Sequence, residues 1–420
     1  MKRILAIIFG SALAGLVASA SAHHTKNLLT ISDFFGGFEG ASLINPKQLG
    51  RNYFSLETQS SKTFGQQGRL GTWVCAGIKL ENVHISDGDV VRIVVPDGNK
   101  SAVLRAVYSF DRKNWKFVTT QRASFDFDIP LERRRKAVYF ATFTPYFHSQ
   151  MLESNKAFAR SKYVRLSTIG KSVRGRDIPL VTITDWQVPD AEKKRAFIIG
   201  GTHGAETASI YGVEGMMRFL LTEDPLAQEM RQKVVWKFIP IHNVDAAAEG
   251  LDRRNAGGIN LYFDWGFHAE EAKHLEKYKD DPSIRNSDFS QPETRAAYKA
   301  IMDFRPNVFL DVHSWHFKGD GFWGPDPAFT SSEIKDLKSN IAKYYKVKQW
   351  DHEGLLIASA PTIARTLNIA TTLPEFALSF DSDGNLKNPD SYASTRSGCS
   401  AGHIRISQGP PLRLFIQFIG

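Results

Sequence analysis

The chain has 420 residues, of which 42% are hydrophobic and 23% charged, the balance of a soluble globular protein with length for two domains. Beyond the first 22 residues no segment is apolar enough to span a bilayer, which excludes a multi-spanning membrane protein. The net charge of +9 suits an anionic envelope or an acidic substrate as well as it suits a plain solvated basic surface.

Residues 1–22 read as a secretory signal peptide. Lys2 and Arg3 form the basic head, residues 4–17 the apolar core, and Ala18-Ser19-Ala20 and Ala20-Ser21-Ala22 offer small-residue cleavage sites. The mature protein is therefore expected to be periplasmic or secreted, without a transmembrane span after signal removal. Cleavage leaves His23 at or near the new N-terminus, where a disordered tail is the default.

Residues 28–150 predict an all-β sandwich domain. Residues 90–95, 102–110, 116–120, 124–129 and 137–144 are short runs rich in Val, Ile, Phe, Tyr and Thr. Turn signals such as Pro96-Asp97-Gly98-Asn99 and Asp111-Arg112-Lys113-Asn114 separate them, the spacing of an antiparallel sandwich or barrel. Arg133-Arg134-Arg135-Lys136 falls in a loop between two of these strands, and no nucleic-acid motif accompanies it. A short helix over 149–159 links to the second domain, residues 160–420. Cys75 and Cys399 are the only cysteines. Export permits a disulfide between them, and two free buried thiols are the alternative.

In residues 160–420, strands are expected at 163–168, 180–184, 196–199, 234–241, 308–312 and 369–373, with a helix over 208–221. Strands alternating with helices predict an α/β fold, a mixed and mostly parallel twisted sheet covered by helices on both faces. His203, Glu206, His313 and Glu375 all fall at the carboxyl ends of apolar strands, where such sheets keep their sites. In Gly200-Gly201-Thr202-His203-Gly204-Ala205-Glu206 an imidazole and a carboxylate stand three residues apart. With His313 as the third ligand they make the two-nitrogen, one-carboxylate set of a catalytic zinc, which keeps a position open. A carboxylate outside that set must carry the proton, and Glu375 is the candidate. An arginine must hold the oxyanion, with Arg253 and Arg254 as candidates.

These motifs together resemble the zinc carboxypeptidases of the carboxypeptidase A superfamily, the funnelins. The resemblance runs from about residue 163 to about 380 and is nearest to the cytosolic-carboxypeptidase-like branch, whose members carry a β-sandwich ahead of the catalytic domain. Gly170-Lys171-Ser172-Val173-Arg174-Gly175-Arg176 is similar to the family's G-x-S-x-x-G-R motif. His203-Gly204-Ala205-Glu206 matches H-x-x-E, Asn243-Val244-Asp245 resembles N-P-D, and Asp311-Val312-His313-Ser314 matches the segment with the third ligand. Residues 367–380, with Glu375, resemble the strand bearing the catalytic glutamate. The resemblance implies zinc as cofactor, Arg253 in the oxyanion role, and a peptide substrate.

One departure stands out. Where the family reads R-R-N-A-x-G-x-D-L-N-R, this chain runs Arg253-Arg254-Asn255-Ala256-Gly257-Gly258-Ile259-Asn260-Leu261-Tyr262-Phe263. Tyr262 and Phe263 fill the positions of the Asn-Arg pair that binds a substrate's terminal carboxylate. No aromatic pair replaces a bidentate guanidinium. Arg254, Asn255, Tyr262 and Phe263 are therefore expected to line an atypical substrate pocket. The substrate is expected to be a peptide, a peptidoglycan stem peptide or a glycoconjugate. A zinc esterase or deacylase on an acylated saccharide, and a non-catalytic envelope-binding protein, are the alternatives on the same fold.

Overall fold

The structure, a computed structural model, describes residues 28–59, 71–98 except 82 and 87, 105–266, 288–314, 321–323, 362–363, 366–367 and 369–375. Its N-terminal part is built from ten short strands: β1 (Phe34–Phe35), β2 (Ile44–Gly50), β3 (Tyr53–Glu57), β4 (Cys75–Lys79), β5 (Val90–Val94), β6 (Val107–Ser109), β7 (Lys116–Phe117), β8 (Gln121–Ala123), β9 (Asp126–Pro130) and β10 (Ala137–Ala141). They form two five-stranded sheets, ordered β1-β4-β10-β6-β7 and β2-β3-β5-β9-β8. Every pairing is antiparallel except β3 with β5.

The period-two alternation of these strands turns one face of each sheet inward. Ile78, Val138 and Phe140 from the first sheet share a single apolar core with Phe54, Ile93 and Phe127 from the second. Phe127 and Phe140 meet across it with ring centres 6.4 Å apart. Cys75 lies in this core, where burial pushes its thiol far above the usual range. Cys399 is outside the described residues.

Helix α1 (His148–Phe158) leads into a seven-stranded sheet. Its strands are β11 (Val164–Lys171), β12 (Asp177–Ile183), β13 (Lys194–Gly200), β14 (Val234–Ile239), β15 (Val308–Val312), β16 (Gly321–Trp323) and β17 (Ala370–Glu375), ordered β11-β12-β14-β13-β15-β17-β16. The four central strands, β14, β13, β15 and β17, run parallel. The flanking pairs are antiparallel on both sides. The sheet is thus mixed, with its parallel part at the centre.

Burial on both faces explains the unbroken apolar runs in β13 and β15. Ala196 and Ile198 face one way, against Val213, Met217 and Leu220 of α2 (Thr207–Leu220) and Met230 of α3 (Pro225–Lys233). Phe197 and Ile199 face the other way, with Val244 and Ala247 of α4 (Val244–Glu249) and Ala297 and Ile301 of α5 (Pro292–Phe304). Among the described residues no helix is long and apolar enough to cross a membrane.

Candidate metal centre

The site starts where β13 ends. Gly201 has φ +61°, a left-handed conformation that turns the chain off the sheet without a Cβ penalty. Thr202 and His203 follow, and Glu206 stands immediately before α2, with its amide donating to the His203 carbonyl at 3.2 Å. His313 comes directly after the last residue of β15. Because β13 and β15 are parallel neighbours, both loops leave the same edge of the sheet.

His203, Glu206 and His313 converge, with one potential ligand atom from each lying within 4.8 Å of the others. All three are buried. His203 Nδ1 is 2.7 Å from Glu206 Oε1, and His313 Nδ1 is 2.9 Å from Glu206 Oε2. The Ser314 amide also donates to Glu206 Oε2, at 3.1 Å.

The outer nitrogen of His203 has a hydrogen-bond acceptor behind it, and that of His313 has a carboxylate oxygen close by without hydrogen-bond geometry. His203 Nε2 lies 3.0 Å from Asn260 Oδ1, and His313 Nε2 lies 3.1 Å from Asp311 Oδ1. The Asn260 oxygen favours the His203 tautomer with its proton on Nε2, which turns that ring's Nδ1 lone pair toward the shared centre. Thr202 Oγ1 donates to the same Asp311 oxygen at 3.1 Å and lies 3.4 Å from His242 Nδ1.

In the metal-free cluster the three groups set one another's charge. Burial alone would raise the Glu206 carboxyl, but the two imidazoles hold it well below the usual carboxylate range. Burial pushes His203 down, toward the neutral form that binds metal. Burial also opposes the charged form of His313, yet Asp311 and Glu206 draw it well above its usual range. Two imidazole nitrogens and a carboxylate brought together in this way match the three-ligand set of a catalytic zinc that leaves a position over. The residues fit that ion.

Arg253 joins the cluster. Its Nη1 lies 3.3 Å from His203 Nδ1 and 3.4 Å from Glu206 Oε1, with the side chain only 10% exposed. Arg254 is partly buried on the same turn. Tyr262 packs its ring against both ligand imidazoles, with centres 5.8 Å from His203 and 5.1 Å from His313. Phe263 packs edge-on against Tyr262 and is only 2% exposed. The two residues at the clamp positions therefore part company, one against the cluster and one in the packed interior.

Asn255 is occupied by the fold. Its Oδ1 accepts from the amides of Gly257 and Ile259, and its Nδ2 donates to Gln291 Oε1 at 2.8 Å and Glu293 Oε2 at 3.1 Å. It shapes the loop rather than facing the cluster. Glu375 ends β17, three residues beyond Thr372, the partner of Leu310, just as His313 lies three beyond Leu310. Its backbone is thus at the same edge of the sheet as the three ligands. His268, His316 and His352 lie outside the described residues.

The G-x-S-x-x-G-R and N-x-D motifs turn out to be one brace. Ser172 Oγ, the Arg174 amide and Arg176 Nη1 all donate to the buried Asp245 carboxylate, at 2.8, 2.9 and 2.6 Å. Asn243 Oδ1 caps α4 by accepting from the Ala246 amide. Glu293, raised by burial, accepts from both the Val173 amide and Asn255, and so joins the brace to the arginine loop. Sequence reasoning missed the supporting roles of Asn260, Asp311 and Thr202. Asp311 left a signal, an acid buried within an otherwise apolar strand two residues before a ligand.

The zinc carboxypeptidase family profile matches residues 151–317. Mouse cytosolic carboxypeptidase 6 is 28% identical over 223 residues, 53% of this chain and 38% of that protein. Cytosolic carboxypeptidase 2 of Xenopus tropicalis is 31% identical over 130 residues, 29% of this chain and 13% of that protein. The matched regions thus span well under half the length of these relatives. Among solved structures, a metallo-carboxypeptidase from Burkholderia cenocepacia superposes with TM-score 0.68 at 18% identity, covering 92% of this chain and 96% of its own. A putative carboxypeptidase A from Shewanella denitrificans does so with TM-score 0.65 at 20% identity, covering 92% and 96%. These two likenesses speak to the fold. Residues 151–317, which contain His203, Glu206 and His313, thus match the zinc carboxypeptidase family and bring its metal-binding motifs together in one cluster.

Proposed function

We propose that this chain is an exported zinc-dependent hydrolase that cleaves an amide bond in a peptide or a peptidoglycan stem peptide. The observation that carries the reading is the convergence of His203 Nδ1, His313 Nδ1 and the Glu206 carboxylate beside the Arg253 guanidinium. His203, Glu206 and His313 would hold the zinc, which when bound would supply Lewis acidity to the site. Glu375 takes the proton of the attacking water and returns it to the leaving nitrogen. Arg253 holds the carbonyl oxygen and the negative charge that develops on it. Asn260 and Asp311 fix the two imidazoles. Export is supported by the basic head, apolar core and small-residue sites of residues 1–22.

The Tyr262 ring against both ligand histidines favours a second reading, an esterase or deacylase that accepts a neutral group where the family takes a carboxylate. Zinc content, with turnover of free-acid peptides, their amides, muropeptides and acylated sugars, separates the two. Turnover restricted to free-acid peptides rejects the esterase reading. A zinc-loaded protein inert on every peptide and muropeptide rejects the peptidase reading.

A further inference from the structure

The β-rich N-terminal part reaches into the metal motif. Ala205, between the ligands His203 and Glu206, is buried in the same apolar cluster as Trp73, Val74 and Phe143. Thr207 Oγ1 donates to the Thr144 carbonyl and Tyr211 Oη to the Pro145 carbonyl, both at 2.8 Å, which ties α2 to the chain leaving β10.

The tightest tie falls on Asp252, the residue before the arginine. The Thr72 amide donates to Asp252 Oδ2 at 2.9 Å across 180 residues of sequence, and Thr72 Oγ1 lies 3.4 Å from Oδ1. Thr72 is itself held, because Thr142 Oγ1 donates to its carbonyl at 2.7 Å. The Asp252 carbonyl then accepts from the Ala205 amide at 3.1 Å. Thr72, Thr142, Ala205 and Asp252 are all buried. One residue thus has its side chain fastened to the β-rich part, its carbonyl to the ligand loop, and its successor Arg253 against Glu206 and His203.

We propose that Thr72 and Asp252 form a latch by which the N-terminal β-rich part positions Arg253 and the His203–Glu206 loop, making Asp252 a positioning residue for the chemical step. The proposal rests on the role of Arg253 given above. A carboxylate accepting from a buried amide makes a strong, directional bond. A misplacement of about 1 Å at a group that stabilises a transition state costs on the order of a hundredfold in rate. Two small hydroxyl residues of the β-rich part would then matter to catalysis without touching substrate.

The test uses the full chain. Amide exchange of the metal-free protein is measured for Asp252→Ala, Asp252→Asn and wild type. The latch requires the Ala205 and Thr72 amides to exchange about tenfold or more faster in Asp252→Ala, with β13 amides unchanged. Asp252→Asn keeps one acceptor oxygen for Thr72 and recovers most of the protection. With zinc and a free-acid peptide, Asp252→Ala lowers kcat by about a hundredfold while KM stays within about threefold. In an Arg253→Ala background the same change costs clearly less than it does alone, because one of the two elements it positions is gone. Unchanged exchange at Ala205 and Thr72, or losses from Asp252→Ala and Arg253→Ala that simply multiply, would overturn the latch. Wild-type activity in Arg253→Ala would instead remove the role given to the arginine, and the exchange arm would still report on the latch.

Discussion

Gly204 separates the ligand role of the H-x-x-E motif from its packing. A Cβ built there would stand 2.5 Å from the Leu251 carbonyl oxygen, 2.5 Å from the Ala246 Cβ and 3.2 Å from the Ala246 carbonyl carbon. These neighbours belong to α4 and to the second residue past its end, so no side-chain rotation relieves them. Ordinary contact begins near 3.4 Å, so Gly204→Ala must open the gap by roughly 0.9 Å. Zinc ligands tolerate about 0.2 Å. Gly204 sits between His203 and Glu206, and the movement therefore falls on the ligands. Overpacking costs about 1–3 kcal/mol, against a total stability of about 5–15 kcal/mol. The variant should fold, melt a few degrees lower, and bind zinc about 10–100-fold more weakly. Competitive zinc titration gives the affinity, and thermal melting of the metal-free protein gives the stability. Gly36→Ala is the control, since its nearest contacts would be 3.6 and 3.8 Å. A Gly204→Ala protein with wild-type zinc affinity would show that the ligand loop does not depend on this close approach.

His203→Ala or His313→Ala should abolish zinc retention, because two remaining ligands hold the ion poorly; full occupancy by elemental analysis would mean the site is elsewhere. Glu375→Gln should retain zinc and lose about a hundredfold or more in kcat, and near-normal turnover would move the base to another carboxylate. Phe263→Arg should destabilise by several kcal/mol, since it buries a charge at a position 2% exposed, whereas Tyr262→Phe should fold normally; chemical denaturation compares them, and an equally stable Phe263→Arg refutes the packing role. His242 is fully buried, and burial lowers its pKa from an ordinary 6.5 to about 4. As pH falls through that interval the unfolded chain takes up a proton that the folded chain refuses. The metal-free protein should therefore lose roughly 3 kcal/mol between about pH 6.5 and 4 on this account and nothing above it. Urea titrations of wild type and His242→Gln check this, and identical pH slopes would refute it.

The three residues that converge could be read from sequence because each follows an apolar parallel strand, and such strands announce themselves through length and β-branched content. β15, at Val308–Val312, has the very bounds its apolar run gives, and Thr207–Leu220 differs from the expected helix by one residue at each end. The short β-rich strands were harder. β2, with Asn45, Pro46, Lys47 and Gln48, carries little hydrophobic signal because it is largely exposed, and only pairing with β3 makes it a strand. α5 was missed although its buried positions, Ala297, Ile301 and Phe304, recur at helical spacing, since polar residues fill the remainder. The supporting acceptors were hidden for another reason. Asn260 and Asp311 act through contacts across 57 and 2 residues of sequence, and nothing local in Asn260 distinguishes a histidine-backing amide from a turn residue.

Tyr262 and Phe263 show why a position in a motif is not yet a place in a pocket. Reading Tyr262 and Phe263 as a pair treats them as equivalent, both turned toward substrate. The tight turn Leu261–Phe263, capped by Asn260 Oδ1 on the Tyr262 amide, cannot aim consecutive side chains in one direction. It sends the Tyr262 ring over the ligand histidines and leaves Phe263 inside the fold. The same Asn260 oxygen that caps the turn also backs His203 Nε2 at 3.0 Å. Ring placement and ligand tautomer are therefore set by one side chain. A change at Asn260 would disturb the metal and the substrate face together, whereas a change at Phe263 would act through stability. Tyr262 thus packs on the cluster itself, with Arg253 as the neighbouring cation and the Asp252 side chain bonded to the Thr72 amide.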